Sequence, residues 1–422
     1  MWTIDNGALA ELTELGLPRR GDVDAALATR TPDEPATIIY TSGTTGRPKG
    51  CVLTHANLVF ETASVLEAEP SVVNEHTTSV LFLPLAHVFA RVLQMVLVAT
   101  RARIGYCGDA SALTRAMQMM HPSLVVAVPR VFEKLINTAT QRATADGRGA
   151  AFAKALTVAQ KYSEGRDSGH IGLGLRLQHA LFSRLVYSKI HATLGGSLKW
   201  AVSGGAPLGE RLGHAFRGLG ITILEGYGLT ETTAGASINR PQYHPGPAMK
   251  VGSVGRPVPG TSARIAADGE VQLLGPNIFK GYWNNPDATR DTFTQDGWFR
   301  TGDLVSRDAD GYYWFRGRLK EIIIRGGSNI SPQEVEDALY SHPAVHEAAV
   351  VGVPHAVWGE VVAAVVAVRE GMTVSEGELR THVKQTLADY KVPEHIHFLP
   401  VLPKGPTGKV QRRAIKETLL QH

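Results

Sequence analysis

Short runs of β-branched and apolar residues alternate with segments of helical periodicity in the first part of the chain. The run ATIIYT (residues 36–41) predicts a buried strand that stops at a Gly/Thr/Ser cluster. A helical pattern begins at Thr54 and places Leu58, Val59 and Val65 on its apolar face. Further strands are predicted at residues 123–129, 197–205 and 221–228. Strands that alternate with helices indicate α/β layers with parallel sheet content.

The pattern changes twice further along the chain. Residues 132–194 predict a long helical insert that the glycine-rich stretch 165–174 divides into two pieces. From Gly252, short runs between Gly and Pro turns predict a small antiparallel or β-barrel-like subdomain. After Gly317 an α+β pattern returns, with a helix that Ser331 caps. We place a domain boundary near residues 318–320, which gives a large domain (1–318) and a small one (319–422).

Composition and charge narrow the class of protein. The 422 residues are 43% hydrophobic and 19% charged, as in ordinary globular proteins. A net charge of +4 without a basic cluster argues against nucleic acid. Cys51 and Cys107 give no disulfide framework and favour a reducing, cytoplasmic compartment. The most apolar stretch, residues 79–100, contains Pro84, His87 and Arg91, so a buried strand and helix are favoured over a membrane span.

The segment YTSGTTGRPKG (residues 40–50) carries the strongest chemical signal. Its glycines allow tight bends that bring amide N–H groups close to an anion, its hydroxyls add donors, and Lys49 adds a positive charge. A position between a strand and a helix suits a phosphate cradle. The segment is not a Walker A loop, because Gly50 follows the lysine. On composition alone, a flexible Ser/Thr-rich surface turn is the alternative.

Two further segments could complete a nucleotide site. In EGYGLTETT (residues 225–233), Tyr227 could stack on a base, Thr230 could bind a phosphate and Glu231 could bind Mg²⁺. A strand-to-helix turn with Thr230 as N-cap is the alternative. In DGWFRTGD (residues 296–303), Asp303 is predicted in a turn, where its carboxylate could accept from two ribose hydroxyls. An ordinary Asx-turn is the alternative there.

Two basic segments carry less information by themselves. Arg318 and Lys320 lie at the predicted domain junction, where charged residues are usually solvated. PKGPTGKVQRR (residues 403–413) is a Pro/Gly-rich loop with Lys404 and Lys409, and by default it is only a soluble basic loop.

Taken together and in this order, these motifs resemble the adenylate-forming superfamily of acyl-CoA synthetases, luciferases and peptide-synthetase adenylation domains. The resemblance runs from about Thr37 to Arg413 and includes LPLAHVF (83–89), SGGAPL (203–208), WFRTGDL (298–304) and GRLKEIIIRGGSNISPQEVE (317–336). VPRVFEKL (128–135), followed by the helical insert, is similar to the long-chain fatty-acid–CoA ligase branch. The implied fold is α/β, with a multi-layered large N-terminal domain and a smaller, mobile α+β C-terminal domain.

The resemblance implies a role for each motif residue. Thr41 and Glu231 would bind Mg²⁺, Asp303 and Arg318 would hold the ribose, and Lys409 would bridge the attacking carboxylate and the α-phosphate. His87 would lie at the acyl pocket, although a histidine in an apolar run is more often a core residue. The nucleotide would further contact Ser42, Gly43, Thr44, Thr45, Gly46, Lys49, Gly205, Ala206, Pro207, Glu225, Gly226, Tyr227, Gly228 and Thr230.

The implied reaction has two halves. A fatty carboxylate attacks the α-phosphorus of ATP and releases pyrophosphate, and the CoA thiol then attacks the acyl-AMP and releases AMP. Rotation about a hinge at Lys320 would withdraw Lys409 and bring the turn Gly326-Gly327 to the site as part of the CoA passage. ATP, Mg²⁺ and CoA are therefore the expected cofactors and co-substrates, and peripheral membrane contact at the inner face stays open.

The chain departs from the family at its N-terminal end. Family members carry a substantial stretch upstream of the YTSGTTG loop, whereas here only residues 1–39 precede it. We expect either a fragment or a genuinely shortened domain, with sheet edges prone to aggregation. Two alternatives to a CoA ligase therefore stay open: an acyl-AMP ligase that loads a carrier protein, and an inactive nucleotide- or acyl-binding remnant.

Overall fold

The computed structural model describes residues 6–41, 48–241, 249–404 and 410–420. The α-helices are α1 (Ala8–Gly16), α2 (Arg20–Thr29), α3 (His55–Ala68), α4 (Val88–Ala99), α5 (Leu113–Met120), α6 (Pro129–Ala145), α7 (Gly149–Asp167), α8 (Leu173–Phe182), α9 (Ser188–Thr193), α10 (Glu210–Leu219), α11 (Pro286–Asp291), α12 (Pro332–Tyr340), α13 (Glu376–Lys384) and α14 (Arg412–Leu419). The strands are β1 (Pro35–Thr41), β2 (Lys49–Thr54), β3 (Thr78–Leu81), β4 (Arg103–Tyr106), β5 (Leu124–Ala127), β6 (Trp200–Ser203), β7 (Thr222–Tyr227), β8 (Ser237–Ile238), β9 (Arg256–Pro257), β10 (Ser262–Ile265), β11 (Glu270–Leu274), β12 (Gly281–Tyr282), β13 (Phe299–Arg307), β14 (Tyr313–Arg318), β15 (Ile323–Arg325), β16 (Ser328–Ile330), β17 (Val345–His355), β18 (Gly359–Val368) and β19 (His395–Phe398).

A sheet in the order β4-β3-β5-β6-β7-β8-β9 is the centre of the large part of the molecule. Strands β4 to β7 run parallel, and β8 and β9 add antiparallel edges. Alternate residues of the central strands enter different cores: Leu124 and Val126 pack towards α3 and α4, whereas Val125 and Ala127 pack towards the helical insert. A parallel sheet that is buried on both faces explains the nearly continuous apolar runs, so the predicted α/β layering is confirmed.

The helical insert is divided more often than the sequence suggested. The expected break falls between α7 and α8, but a second break separates α6 from α7. Gly147 at this second break has φ +71°, a conformation that glycine adopts without strain. A π-helical turn, Ser183–Tyr187, joins α8 to α9.

The surroundings of the glycine-rich loop differ from the prediction. Residues 36–41 were expected as a buried strand that feeds a loop, with a helix beginning at Thr54 and no strand between them. In the structure, β1 and β2 form an antiparallel pair in which Thr41 lies opposite Lys49. The apolar run after Lys49 forms β2, and of β1 only Ile39 is buried. The third strand of this small sheet is β12. The loop therefore connects two paired strands, and the helix begins only at His55.

Helix α3 begins where it was predicted, but the face that it buries differs from the prediction. Thr54 and Asn57 form a reciprocal capping box. Val59, expected on the buried face, is 63% exposed, whereas Asn57 and Glu61 are buried. Asn57 uses its side-chain amide to donate to the carbonyl groups of Pro276 and Ile278, so polar contacts to a distant segment decide which face of the helix is buried.

The predicted small antiparallel subdomain is the sheet β10-β11-β13-β14. Asp303 lies inside β13, opposite Arg318 of β14, and not in a turn as the sequence suggested. Gly302 accommodates a φ of +71° immediately before it.

The C-terminal part has its own sheet, in the order β16-β15-β18-β17 with β19 beside β18. Its two faces carry separate apolar cores, one under α12 and α13 and the other under α14. Helix α12 begins at Pro332 as predicted, but the hydroxyl of Ser331 donates to the carbonyl of Arg316 and does not cap the helix. Across the described ranges, no helix is long and apolar enough to cross a membrane.

Candidate active site

A cleft of about 2380 Å³ lies between the large and C-terminal parts. The carboxyl ends of β6 and β7 open into it, as do the small sheet of β1 and β2 and the paired strands β13 and β14. Ligands of open α/β sheets commonly bind beyond the carboxyl ends of the strands. The topology therefore makes this cleft the candidate site.

Asp303, Tyr227 and Arg318 form a polar group on one wall of the cleft. The hydroxyl of Tyr227 donates to Oδ2 of Asp303 at 2.8 Å, and Nε of Arg318 lies 3.4 Å from Oδ1. Asp303 is only 3% exposed, and burial raises its pKa although Arg318 and Tyr227 oppose this. Burial and the neighbouring Asp303 charge raise the pKa of Tyr227. The two strands thus present a buried acceptor beside a cation, which suits a sugar diol next to a phosphate.

The two ends of the glycine-rich loop lie close to Glu231. The Nζ atom of Lys49 lies 4.9 Å from the centre of the Tyr282 ring, and the hydroxyl of Tyr282 donates to Oε1 of Glu231 at 2.8 Å. The buried thiol of Cys51 contacts both Thr41 and Glu231, and burial and the Glu231 charge raise its pKa. The carboxylate of Glu231 and the hydroxyl of Thr41 therefore both lie beside Cys51. Oxygen donors of these two types fit Mg²⁺, which typically takes one or two carboxylates together with substrate phosphates.

The segment that carries Thr230 and Glu231 is held rigidly. It forms a 3₁₀ turn, Thr230–Thr232, in which Leu229 and not Thr230 occupies the N-cap position. The hydroxyl of Thr233 donates to the carbonyl of Asn277 at 2.7 Å. The N–H of Gly235 donates to Oε1 of Glu61 at 2.9 Å. The side chain of Thr230 makes none of these structural contacts, so it is available to the cleft.

The remaining predicted residues on this side of the cleft are glycines and small residues, which line it mainly with their backbone. Gly205, with φ +82°, and Ala206 and Pro207 line the cleft next to the end of β6. Gly226 and Gly228 line it beside Tyr227, and a Cβ on Gly228 would lie 1.5 Å from the carbonyl oxygen of Ala234. Glycine is therefore required at position 228.

Glu225 lies at the inner end of the cleft, at the close of β7. It is 5% exposed, and burial raises its pKa to about 8, although the N–H of Leu208 donates to it. Glu210 and Asp337 lie near enough to raise this pKa further.

The predicted hinge residue, Lys320, lies in the cleft wall, whereas the predicted CoA-passage turn does not. Lys320 lines the cleft, and burial, then the charge of Arg318, lowers its pKa. The charge of Lys49 also lowers the pKa of Lys320. The three cations Lys320, Arg318 and Lys49 are therefore close to one another on this side of the cleft. The turn Gly326-Gly327, at φ +55° and +84°, is not part of the cleft wall, and Gly326 lies against the ring of Trp358.

An apolar lobe extends from the polar region. Its walls are formed by Val65, Val92, Leu93, Val96, Leu124 and Val126. His87 lies at the start of α4 and is exposed to the cleft, so it is not a packed core histidine. Two buried acids also border the lobe. Burial raises the pKa of Glu61 well above its ordinary value and that of Glu69 to about 8.

Comparison with known proteins identifies the family. The model for "AMP-binding enzyme" matches residues 3–283, and the model for "AMP-binding enzyme C-terminal domain" matches residues 334–409. The chain belongs to the AMP-binding enzyme family.

Several known proteins are similar to this chain. A long-chain-fatty-acid–CoA ligase, FadD15 of Mycobacterium bovis, is 49% identical over 347 residues, which are 82% of this chain and 57% of that protein. This chain thus spans little more than half the length of that relative. Among solved structures, ATP-bound MatB from Rhodopseudomonas palustris has a TM-score of 0.73 at 29% identity, covering 92% of this chain and 69% of that one.

A third member is the o-succinylbenzoate coenzyme A synthetase MenE from Bacillus subtilis in complex with ATP and a magnesium ion. It has a TM-score of 0.69 at 26% identity, over 92% of this chain and 70% of that one. The α/β architecture with a large N-terminal and a smaller C-terminal part is thus that of the family.

Some predicted site residues lie outside the described parts of the chain. These are Ser42, Gly43, Thr44, Thr45 and Gly46 of the loop, and Lys409. The ends of both segments are described. Thr41 pairs with Lys49, and a β-bridge joins Lys404 to Val410.

Several residues of the site were not predicted from the sequence. Tyr282, Glu61 and Asn277 reach the motif residues from segments without glycine-rich or charged signatures. Asn57 and Glu61 lie one helical turn apart in α3, but this spacing indicates an ordinary solvent-exposed polar face and gives no signal of their burial. Tyr282 gives no signal either, because it follows Gly281 in an unremarkable aromatic stretch.

Proposed function

We propose that this protein activates a long-chain fatty acid with ATP and Mg²⁺ to acyl-AMP and then transfers the acyl group to CoA, as an acid–thiol ligase. The observation that carries the proposal is the single cleft. It joins a polar group suited to a nucleotide (Tyr227, Asp303 and Arg318) to a lobe of aliphatic side chains. The FadD15 relative, named a long-chain-fatty-acid–CoA ligase, supports the same acid class.

The nucleotide roles follow from the position of each residue. We propose that residues 41–49 hold the β- and γ-phosphates and that Thr230 contacts the α-phosphate. Gly205, Ala206 and Pro207 would line the adenine together with Glu225, Gly226, Tyr227 and Gly228. Because Tyr227 uses its hydroxyl on Asp303, we propose that its ring face borders the base and that Asp303 and Arg318 meet the ribose.

In the first half-reaction, an oxygen of the fatty carboxylate attacks the α-phosphorus, and the bond from that phosphorus to the bridging oxygen of the β-phosphate breaks. Lys409 would bring the two anions together, and Lys49, Arg318 and Lys320 would face the charge that moves onto pyrophosphate. Mg²⁺, held by Thr41 and Glu231, would neutralise part of the same charge.

In the second half-reaction, the CoA sulfur attacks the acyl carbonyl, the acyl–oxygen bond to AMP breaks, and the thiol proton is released. In the described structure the Gly326-Gly327 turn lies outside the cleft wall. We therefore propose that residues 319–422 form a unit that rotates about Lys320. The separate apolar cores of the C-terminal sheet support such a unit, and residues 1–318 would form the other.

The site of action is proposed to be the cytoplasm, with peripheral contact at the inner face of the membrane. Cys51 and Cys107 are both free and buried, which supports a reducing compartment.

The purified chain, given ATP, Mg²⁺, CoA and a series of acids from acetate to palmitate together with an aryl acid, tests the proposal. We expect AMP and palmitoyl-CoA in equal amounts, and little product from acetate. Palmitoyl-AMP without thioester would instead indicate an acyl-AMP ligase that loads a carrier protein. ATP binding without AMP release would indicate a nucleotide-binding remnant and refute the ligase.

The role of Lys409 can be tested separately in each half-reaction. Lys409→Ala should reduce acid-dependent pyrophosphate exchange about a hundredfold or more, because the charge that offsets two anions is removed. Thioester formation from synthetic palmitoyl-AMP should change little. Lys384→Ala, an exposed lysine of α13, is the matched control. Equal loss in both half-reactions would contradict the assigned role.

A further inference from the structure

A row of leucines on the helical insert is exposed to solvent. Leu173, Leu177 and Leu181 of α8 and Leu185 of the following π turn are 77%, 73%, 57% and 54% exposed. Single exposed leucines are common, but four at a constant four-residue spacing form one continuous apolar face. We call these four residues the leucine row.

The opposite face of the same segment is fixed to the body of the molecule. The His179 ring stacks on Tyr162 at 3.7 Å between ring centres, and its Nε2 lies 2.7 Å from the carbonyl oxygen of Gly218. The buried hydroxyl of Tyr187 donates to the carbonyl of Ala155 at 2.8 Å. The helix therefore cannot rotate about its axis to bury its leucines without breaking these contacts. These contacts keep the leucine row facing outward.

The π turn keeps the row straight. In an α-helix a four-residue step overshoots one turn by about 0.4 residue, so an i, i+4 row drifts around the helix. A π turn contains more residues per turn than an α turn, and a four-residue step there falls short of a full turn. The turn Ser183–Tyr187 thus offsets part of the drift and carries Leu185 back towards the line of the other three.

The segment that carries the leucine row has charged residues of one sign only. Between Asp167 and Glu210 the chain contains no acidic residue. Within the same stretch, Arg176, Arg184 and Lys189 are all exposed on α8, the π turn and α9. An outward apolar face on a segment whose only formal charges are cations is the pattern of a helix that lies in the plane of a membrane interface.

We infer that the leucine row and its flanking cations dock this protein on an anionic lipid bilayer, with α8 lying parallel to the membrane surface. A second copy of the chain fits this face less well, because it would bring the same cations together. The face lies on the helical insert rather than on the walls of the apolar lobe, so docking would not occupy the cleft. The inference is independent of the proposed ligase chemistry.

Vesicle co-sedimentation of the full chain tests the inference directly. Phosphatidylcholine vesicles containing about one third phosphatidylglycerol should bind the protein, whereas pure phosphatidylcholine vesicles should bind it about tenfold less. Added salt should weaken the binding, because it screens the charges. Equal binding to both vesicle types, or no binding to either, would overturn the inference.

Variants connect the binding to this face. Leu177→Gln with Leu181→Gln should lower the bound fraction on anionic vesicles about tenfold or more, and Arg176→Gln with Arg184→Gln should remove most of the preference for anionic lipid. Leu9→Gln with Leu27→Gln changes two comparably exposed leucines of α1 and α2 and should leave binding unaltered. Unchanged thermal unfolding of each variant shows that it is folded.

Light scattering without lipid tests the alternative that a second copy of the chain covers the leucine row. We expect the wild-type chain and the Leu177→Gln, Leu181→Gln variant to have the same mass. A wild-type dimer that this variant converts to monomer would show that a second copy covers the leucine row, and would overturn membrane docking.

Discussion

At the scale of single residues, the proposed nucleotide-binding role of Asp303 rests on how its buried carboxylate is held. Tyr227 and Arg318 approach its two oxygens from neighbouring elements, and its exposed fraction is 3%. A carboxylate already fixed in this way requires little reorganisation when a ligand donates to it. Its geometry, and not only its charge, therefore contributes to binding.

Asp303→Ala should weaken ATP binding about tenfold to a hundredfold, because a hydrogen bond to a charged group contributes about 1.5–3 kcal/mol. The change would also leave Arg318 and the Tyr227 hydroxyl without their partner. The Kd for ATP by calorimetry is the measurement, with Asp287→Ala, an exposed carboxylate of α11, as control. An unaltered Kd would show that Asp303 only supports the fold.

Glu225 predicts a pH dependence of stability. Its folded pKa, about 8, lies above its ordinary value, so the folded state retains a proton that the unfolded state releases. The stabilising contribution is complete below about pH 4.5 and is lost as the pH rises through the folded pKa near 8.

Glu225→Gln should reduce the fall in unfolding temperature between pH 5 and about pH 9, since the amide does not ionise. Thermal unfolding of the ligand-free protein at both pH values is the measurement. Glu376→Gln, on the surface of α13, is the matched control and should behave as the wild type. A fall equal to that of the wild type in the Glu225 variant would contradict this account.

At the scale of elements, the close contact of α7 with α10 depends on a glycine, Gly218, at the point where the two helices meet. A Cβ on Gly218 would lie 1.9 Å from the carbonyl oxygen of Ala159, which is backbone and cannot move aside. Gly218 thus sets the distance between the two helices, and through the His179 contact it also supports α8.

Gly218→Ala should lower the free energy of unfolding by about 1–3 kcal/mol, the range for overpacking. Gly377→Ala in α13 is the control, because nothing lies within 4 Å of its Cβ position. The control should raise the free energy of unfolding by about 0.4–1 kcal/mol. Chemical denaturation measures both, and a neutral Gly218 variant would show that α10 can shift.

The elements also show how far the sequence was informative. The strands β5, β6 and β7 were predicted because continuous apolar runs between turn residues have few other interpretations. Strand β2, which lies between the glycine-rich loop and the predicted helix, was missed, because its pairing with β1 and β12 depends on those strands and not on its own residues alone.

The same reasoning applies to the site. Residues that carry a glycine-rich or charged signature could be predicted as a group, and Thr41, Lys49, Tyr227, Glu231, Asp303 and Arg318 do line one cleft. Glu61 could not be predicted, because a glutamate in a helix is ordinarily exposed. Only the long-range contact with Gly235 explains its burial. The position of Tyr282 in the site likewise depends on a contact that is distant in sequence, the pairing of β12 with β2.

At the scale of the whole molecule, an acid cluster lies where the large and C-terminal parts meet. Partial desolvation raises the pKa of Glu133 in α6, although its side chain keeps contact with solvent, and the nearby charge of Glu347 in β17 raises it further. His346, Lys404 and Arg130 act in the opposite direction. Lys404 donates to Glu347, so Glu133 is the acid that faces a second carboxylate across the boundary.

Because the folded pKa of Glu133 is raised, packing of the two parts should be most favourable at low pH and should weaken as the pH rises and Glu133 ionises. We expect the radius of gyration from small-angle scattering to increase in the wild type as the pH rises above 4.5, the ordinary pKa of a glutamate. The increase should be smaller in Glu133→Gln. Glu67→Gln, at an exposed position of α3, is the control. An equal increase in all three proteins would rule out Glu133 as the cause.

The small sheet of β1, β2 and β12 has a consequence for the order of folding. Strands β1 and β2 can pair as soon as they are synthesised, but Cys51 pairs with Tyr282, which is made only after the parallel sheet is complete. Contacts between residues so distant in sequence form late, because closing a long loop is entropically costly. Tyr282 is also the residue that holds Glu231. The ends of the loop and Glu231 are therefore brought together by a late pairing, and a newly made chain should acquire the proposed phosphate-binding geometry only after the parallel sheet has formed.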